Sequence, residues 1–374
     1  MRHDQRGRTM VGDGGMSSLE NAPRSSTAAV PYRSLGEPFL AALETLADAP
    51  NGAWWADVLA DADLLLAVRN RSLNVYYRGA SLFRITPASE GVAAETHVKY
   101  LVRQRQAMTR LAADGGFGLD PAAAVWTRYE GPATLAEMKR AATPLAGLEK
   151  TGVHALVQAS PNVVDVEVSL TGAPLDSAAE PDGAQAEVDA AFQSPDVNTV
   201  PSSTRQDRLD VASLEERGVA DEAWLVFHEA KLATNPALRS RSTPAIVGQV
   251  ERYRATLKHE ADRLAKSYPA LCRDLVRLDT LRRTVRLARG LDVAALSQRD
   301  LLVAEVASGE RRLQVDSEPR LVLFGFDAAQ RDGAVGTITE SLRTQHGLRV
   351  YAVGRPGKGT AAFRRPKDLS SEAV

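Results

Sequence analysis

An α/β fold is predicted, with a mixed central β-sheet flanked by helices in the C-terminal half and an N-terminal α+β region fused to it. Three observations predict it. Three β-like runs separated by turn residues lie between residues 64 and 85, and helical and strand-like patterns alternate from about residue 134 onward. The run Arg320-Leu321-Val322-Leu323-Phe324-Gly325-Phe326 has the unbroken apolar character of a strand buried on both faces. With 374 residues and 44% hydrophobic content, the chain has ample material for a packed core.

Met1 to about Ser34 is rich in Gly, Ser, Arg and Asp and reads as a disordered tail (1–35). Phe39, Leu40, Leu43 and Leu46 have the spacing of an amphipathic helix, and a short helix is expected from Trp54 to Leu59. Leu64–Arg69, Leu73–Arg78 and Ser81–Ile85 read as a tight meander, because Asn70-Arg71-Ser72 and Gly79-Ala80 supply the turns. Residues about 94–113 are expected to be helical, with Leu101, Met108 and Leu111 apolar. An N-terminal α+β region over 36–125 follows.

Thr134 to Ser160 is again helical in pattern, broken near Thr143-Pro144 and ended by Pro161-Asn162. Val163–Leu170 alternates as a strand with one polar face. From Thr151 to Thr204 there are eight acids and no Lys or Arg, so 171–204 reads as an exposed acidic insertion, with a short helix near 184–192. Arg208–Leu214 and Ala223–Lys231 flank a polar connection as in a hairpin. A long helix is expected from Pro244 to Lys266, and Leu271–Arg289 continues helical but basic. After the strand at 320–326 come a helix to about Gln345, a last strand Leu348–Val353 and a flexible tail (356–374).

The 46 Lys and Arg balance 47 Asp and Glu, so any site for a polyanion must be a local patch. The single cysteine, Cys272, excludes an internal disulfide, and the six histidines show no zinc-ligand spacing with it. The N-terminus lacks the apolar run of a secretory signal and no stretch is long enough to span a bilayer, so a cytoplasmic protein is expected.

In Ala223-Trp224-Leu225-Val226-Phe227-His228-Glu229-Ala230-Lys231 the period of two puts Leu225, Phe227, Glu229 and Lys231 on one face. An apolar face thus ends in a carboxylate and an ammonium. Such charges avoid a core unless they are paired or hold a metal. Asp210 lies on the preceding hairpin arm, where the turn brings it beside Glu229. Two hard oxygen ligands, with the carbonyl of Ala230 as a third, make a Mg²⁺ site, with Mn²⁺ as the alternative. Phosphodiester hydrolysis needs that charge neutralisation and an oriented water, and Lys231 is the residue to orient it.

Asp210 followed by Glu229-Ala230-Lys231 resembles the PD-(D/E)xK nuclease superfamily, and Gln249-Val250-Glu251-Arg252-Tyr253 resembles the QxxxY motif of its RecB-like branch. The resemblance covers roughly residues 134–330; Leu209 stands where the family name has proline. It implies a restriction-endonuclease-like core over 134–355, Mg²⁺-dependent cleavage of nucleic acid, DNA in preference to RNA, and Gln249 and Tyr253 directed at the strand ends, toward the substrate phosphate or Lys231. It also implies a further acid on the helix before the first core strand, for which Glu149 is the first choice and Glu137 the second.

Simpler readings stand beside these. Glu229 and Lys231 form a salt bridge at a strand end, Asp207 rivals Asp210 as ligand, and His228 is a packed histidine. The arginines of 271–289, among them Arg282, Arg283 and Arg286, are a solvated helix face or contact phosphates. Tyr76, Tyr77 and Arg78 stack on bases or belong to the sheet surface. The alternatives for the whole chain are a degenerate nucleic-acid-binding protein and a protein-interaction module, with a homo-oligomer or protein partner left open.

Overall fold

The structure is a computed structural model and describes residues 32–49, 53–101, 108–118, 126–172, 206–240, 242–357 and 362–364. Most of both expected tails, and the acidic insertion apart from its first two residues, lie outside the described residues. The short helix expected near 184–192 does so entirely.

Glu37–Asp48 (α1) starts with Pro38 in its first turn, where the missing N–H costs nothing, and buries Phe39, Leu40, Leu43 and Leu46. Ala53–Ala60 (α2) buries both Trp54 and Trp55. An antiparallel meander follows in the order Leu65–Arg69 (β1), Ser72–Tyr77 (β2), Ala80–Ala88 (β3), Gly91–His97 (β4) and Met108–Leu111 (β5). Where a helix was expected over 94–113, the described residues form the end of β4, a turn at Val98–Tyr100 and β5, and 102–107 lie outside the described residues. Glu95 pairs with Arg84 on one side and Arg110 on the other, so β4 is held between two strands. Such pairing overrides the helix propensity of its alanines.

Pro132–Ala142 (α3) and Leu148–Gln158 (α4) flank the break anticipated at Thr143-Pro144. Val163–Thr171 (β6), Gln206–Glu215 (β7) and Glu222–Leu232 (β8) then form an antiparallel meander in the second sheet. Ala245–Ala288 (α5) is one helix of 44 residues and runs through Pro269, where two helices were anticipated. Tyr268 and Leu271 on either side of the proline are buried, so core packing offsets the helix bond that the proline removes. Leu301–Ser308 (α6) and Arg312–Val315 (β9) had no counterpart in the sequence reading, being too short for periodicity to register. Arg320–Phe324 (β10), Gly336–Thr344 (α7) and Arg349–Gly354 (β11) complete the chain.

The second sheet has the order β11-β10-β8-β7-β6, with β9 also beside β8. Strands β8, β10 and β11 are parallel, so Leu232, Phe324 and Gly354 end at the same edge. The fold is mixed α/β, with an N-terminal antiparallel sheet and a second mixed sheet with helices. No helix among the described residues is long and apolar enough to cross a membrane.

One hydrophobic cluster runs from Leu35 and the two tryptophans through Phe83 to Leu225, Phe227 and Tyr268, so the two sheets share a core. A buried polar knot ties them further. Asp165 on β6 accepts from Arg33 Nη1 (2.8 Å), Arg69 Nη1 (2.5 Å) and Tyr268 Oη (3.1 Å), and so joins the chain before α1, strand β1 and helix α5. Removing one partner of a buried ion pair strands the other charge in the core. Asp165→Ala is expected to cost about 3–5 kcal/mol in urea unfolding; a change within experimental scatter would show that the two arginines find other partners.

Candidate active site

Strand β8 carries Leu225 and Phe227 into the core beneath α5, where Phe227 meets Tyr268 edge-on with ring centroids 6.1 Å apart. Two residues further along the same face, Glu229 is only 2% exposed. Its Oε1 accepts from Lys231 Nζ at 2.6 Å and from Gln249 Nε2 at 2.9 Å. Its Oε2 is buried without a hydrogen-bond partner.

Asp210 stands where β7 and β8 part. Their paired register ends at Val211–His228, and beyond it the Asp210 side chain takes over, with Oδ2 accepting from Ala230 N at 2.8 Å. In an extended strand the N–H and C=O of one residue face the same edge, so the Ala230 carbonyl is also aimed at this fork. The neighbouring strand is irregular at the same level. Val166 opposite Val211 packs in one core cluster, whereas the next pair, Val168 and Leu209, packs in another. By register Glu167 and Asp210 fall between these pairs, and, with burial the main cause, the charge of Glu167 adds to the rise of the Asp210 pKa. Glu167 has φ +50°, a left-handed conformation rare for a non-glycine residue and common at functional sites.

Helix α4 reaches the fork from the opposite face of the sheet. Gly152 lets it pack tightly, since a Cβ there would lie 2.3 Å from the Phe324 ring. Glu149, in the first turn of α4, is thereby placed with Oε1 at 3.5 Å from Lys231 Nζ. Its Oε2 accepts from Leu232 N at 2.9 Å and from Asn235 Nδ2 at 2.8 Å. From α5, Gln249 Nε2 also donates to Tyr253 Oη at 2.7 Å, and that hydroxyl donates to the carbonyl of Arg208. The QxxxY pair therefore braces the two acid-bearing strands against the helix.

The electrostatics follow from this crowding. Burial raises the Asp210 pKa well above its ordinary value and the charge of Glu229 raises it further, while Lys231 partly offsets both. Glu229 is raised first by burial as well, with Lys231 again opposing. For Lys231, burial favours the neutral amine, but Glu229, Asp210 and Glu149 outweigh it and the pKa rises above the usual lysine value. Lys231 is a firm cation at neutral pH.

Among the described residues no three or more His, Cys, Asp or Glu side chains form a ready-made metal cage. A cation such as Mg²⁺ does not require one, since it commonly takes one or two carboxylates and keeps several waters. The donors at the fork fit that pattern. Asp210, Glu229 and the Ala230 carbonyl supply hard oxygens, and Glu229 Oε2 is a buried acceptor without a hydrogen-bond partner.

Comparison of the chain with protein-family models, curated proteins and solved structures finds no match.

Six residues singled out in the sequence meet here: Glu149, Asp210, Glu229, Lys231, Gln249 and Tyr253, with Ala230 between the charged pair. Others do not. Glu137 is on α3, ion-paired to Arg140. Asp207 is buried and bound by Thr256 Oγ1. His228 is buried, with Nε2 2.9 Å from Ser213 Oγ and its pKa well below the usual value through burial, as a packed histidine should be. Tyr76 and Tyr77 are buried rather than free to stack on bases, and Arg78 lies over the Tyr77 ring.

The arginines of 271–289 are the main correction. Arg282 Nε donates to the Leu59 carbonyl at 3.1 Å and Arg286 Nη1 to that of Ala60, so both cap the C-terminal end of α2. Burial pushes the Arg282 pKa down to about 10. Arg283 donates to the carbonyl of Ser297 at 3.3 Å. Gln249 and Arg282 are on one helix, and its rise per residue separates them by roughly 50 Å. This end of α5 does not border the fork.

The sequence reading missed Glu167 and its partner Lys150, whose Nζ is 3.8 Å from Glu167 Oε1. The signal was present in the polar face of β6 and in the residue following Glu149, but register across a long insertion cannot be counted from sequence.

Folding raises the pKa of both acids, so the native state keeps protons that the unfolded chain has lost. Stability should fall as pH rises from about 4, the ordinary carboxylate value, through the raised values of the pair. Asp210→Asn removes the repulsion and leaves an amide oxygen for Ala230 N–H. Without divalent metal, the urea midpoint of this variant should exceed the parent's at pH 8 and approach it at pH 4; equal midpoints at both pH values would contradict the assignment.

Proposed function

We propose that the protein is a metal-dependent nuclease that hydrolyses phosphodiester bonds, with DNA as substrate in preference to RNA. The observation that carries this reading is the opened fork, where the Asp210 carboxylate replaces a backbone partner beside the unpartnered Glu229 oxygen. Asp210, Glu229 and the Ala230 carbonyl would hold Mg²⁺ or Mn²⁺. Once bound, such an ion polarises a phosphoryl oxygen and lowers the pKa of a bound water.

The remaining groups have work of their own. Lys231 keeps its charge, so it orients the attacking water and offsets negative charge growing on the phosphoryl oxygens. Glu149 fixes where that ammonium points. Gln249 holds one oxygen of Glu229 and Tyr253 holds β7 at Arg208, so the two metal-binding acids stay in register. A salt bridge at a strand end explains the Glu229–Lys231 contact but not the three further groups converging on it, nor the buried oxygen left over.

The test is incubation of the protein with supercoiled, linear and single-stranded DNA and with RNA, with Mg²⁺ and with chelator. Metal-dependent cleavage is expected, and binding without cleavage would leave a degenerate nuclease fold. Lys231→Ala keeps the ligands in place and should slow cleavage by about two orders of magnitude or more while nucleic acid still binds. Lys231→Arg should rescue little, because its planar fork does not reproduce a compact ammonium. An alanine variant cutting at the parent's rate would reduce Lys231 to a salt-bridge residue.

A further inference from the structure

Strand β11 is the edge of the second sheet, and a cavity of about 510 Å³ opens along it, walled by α7, by the turn before α7 and by Ala362 and Arg364. That volume is in the range of small-molecule sites. None of its lining residues belongs to the fork. Tyr351 pairs in register with Val322, and Val322 with Ala230, so the cavity lies two strands from the fork, about 10 Å across the sheet. Three arginines line it. Arg364 is paired with Asp300, but Arg331 and Arg343 have no carboxylate partner among the described residues. Glu340 is the one carboxylate among the described lining residues, which leaves one positive charge uncompensated.

The two unpaired arginines are fixed at opposite ends of β11. Arg343 reaches across from α7, where its Nε donates to the Val350 carbonyl at 3.1 Å and its Nη2 to the same oxygen, so three of its five donors are not used by that contact. Arg331 stands at the far end: a Cβ on Gly354 would lie 3.3 Å from its Nη2, and its guanidinium is 5.8 Å from the Phe326 ring centroid. It begins a wide π-helical turn, Arg331–Val335, which Gly336 lets close, since a Cβ there would lie 2.6 Å from the Arg331 carbonyl oxygen. Turns of this type recur at functional sites. Val350 and Gly354 are about 13 Å apart along the strand, so a ligand that meets both guanidiniums carries negative charge at two points.

Between those ends lies Tyr351. The Arg320 guanidinium is 5.3 Å from its ring centroid, and Arg320 is itself held by buried Glu215, Nη1 to Oε2 at 2.7 Å, so the ring is fixed beside the cavity. Thr339, in the α7 wall, is 6% exposed and its Oγ1 has no hydrogen-bond partner. A buried hydroxyl costs free energy in that state unless a ligand or a water completes it.

We propose that this cavity binds a nucleoside with a phosphate on either side, the phosphates at Arg331 and Arg343 and the base against Tyr351. Guanidinium groups match phosphate oxygens through paired, charge-assisted hydrogen bonds, and an aromatic ring accepts any base by stacking. A free nucleoside bisphosphate and one unit of a nucleic-acid strand present this same chemistry. The site does not rest on the nuclease reading, because its residues and its ligand contacts are separate from the fork.

Titration calorimetry of the full chain in chelator, with thymidine 3′,5′-bisphosphate, thymidine and a short oligothymidylate as probes, tests it without metal or cleavage. The bisphosphate should bind at least about tenfold more tightly than thymidine, and Tyr351→Leu should weaken it about tenfold. Arg331→Gln with Arg343→Gln should weaken the bisphosphate at least about tenfold and lower the salt slope for the oligothymidylate by about 1.4, whereas the corresponding lysine pair should keep the slope. Because Arg343 also holds Val350, Arg331→Gln alone is the decisive variant. It breaks no side-chain hydrogen bond among the described residues and should lose affinity several-fold at the parent's urea midpoint. Loss with both charged probes would show that the cavity takes strands and free nucleotides alike, and loss with one of them would restrict it to that source; each supports the proposal. A parent that binds neither charged probe, thymidine binding as tightly as its bisphosphate, or an Arg331→Gln chain that binds both charged probes as the parent does would overturn it.

Discussion

The bond from Ala230 N–H to the Asp210 carboxylate is the interaction on which the site depends. A backbone donor in the middle of a sheet must find an acceptor, and here a side chain serves in place of the neighbouring strand. That substitution lets β7 and β8 separate without leaving the donor unpaired. It also fixes one carboxylate at the mouth of the gap and aims the Ala230 carbonyl into it. The left-handed Glu167 on β6 lies at the same level, so the irregularity spans three strands. Backbone strain of this kind costs free energy and persists only where the surroundings impose it.

Those surroundings are the central strand β8 and the helices on its two faces. Leu225 and Phe227 anchor β8 to α5, which then carries Gln249 and Tyr253 to the fork, while Gly152 brings α4 close enough for Glu149 to reach Lys231. Asp165, at the centre of two arginines and a tyrosine, binds α5 and β6 to the N-terminal sheet. The Gly79 turn of the same sheet packs against the stem of Lys150, the residue after Glu149. The N-terminal α+β region is therefore part of the scaffold around the site.

Much of this was legible in the sequence, for physical reasons that differ by element. The hairpin β7–β8, the face shared by Phe227 and Glu229, and the Gln249–Tyr253 spacing are local periodicities, and they translate directly into geometry. Glu149 was found because its helix precedes the first strand of the second sheet. The errors came where tertiary context decides. Residues 94–97 have helical composition, but β3 and β5 capture them as the end of strand β4. Arg282 and Arg286 look like a basic surface in sequence, and only the structure shows the α2 carbonyls they cap. Glu167 was unreadable because its neighbour across the sheet, Asp210, lies beyond the acidic insertion.

The central claim is that the fork holds a divalent cation, and calorimetric titration of the metal-free protein with Mn²⁺ tests it most directly. The parent should bind Mn²⁺ at neutral pH, more weakly as pH falls and the two acids take up protons. Asp210→Asn and Glu229→Gln should each lose that binding while keeping a cooperative unfolding transition. Undiminished Mn²⁺ binding by both folded variants would place the metal elsewhere and contradict the account.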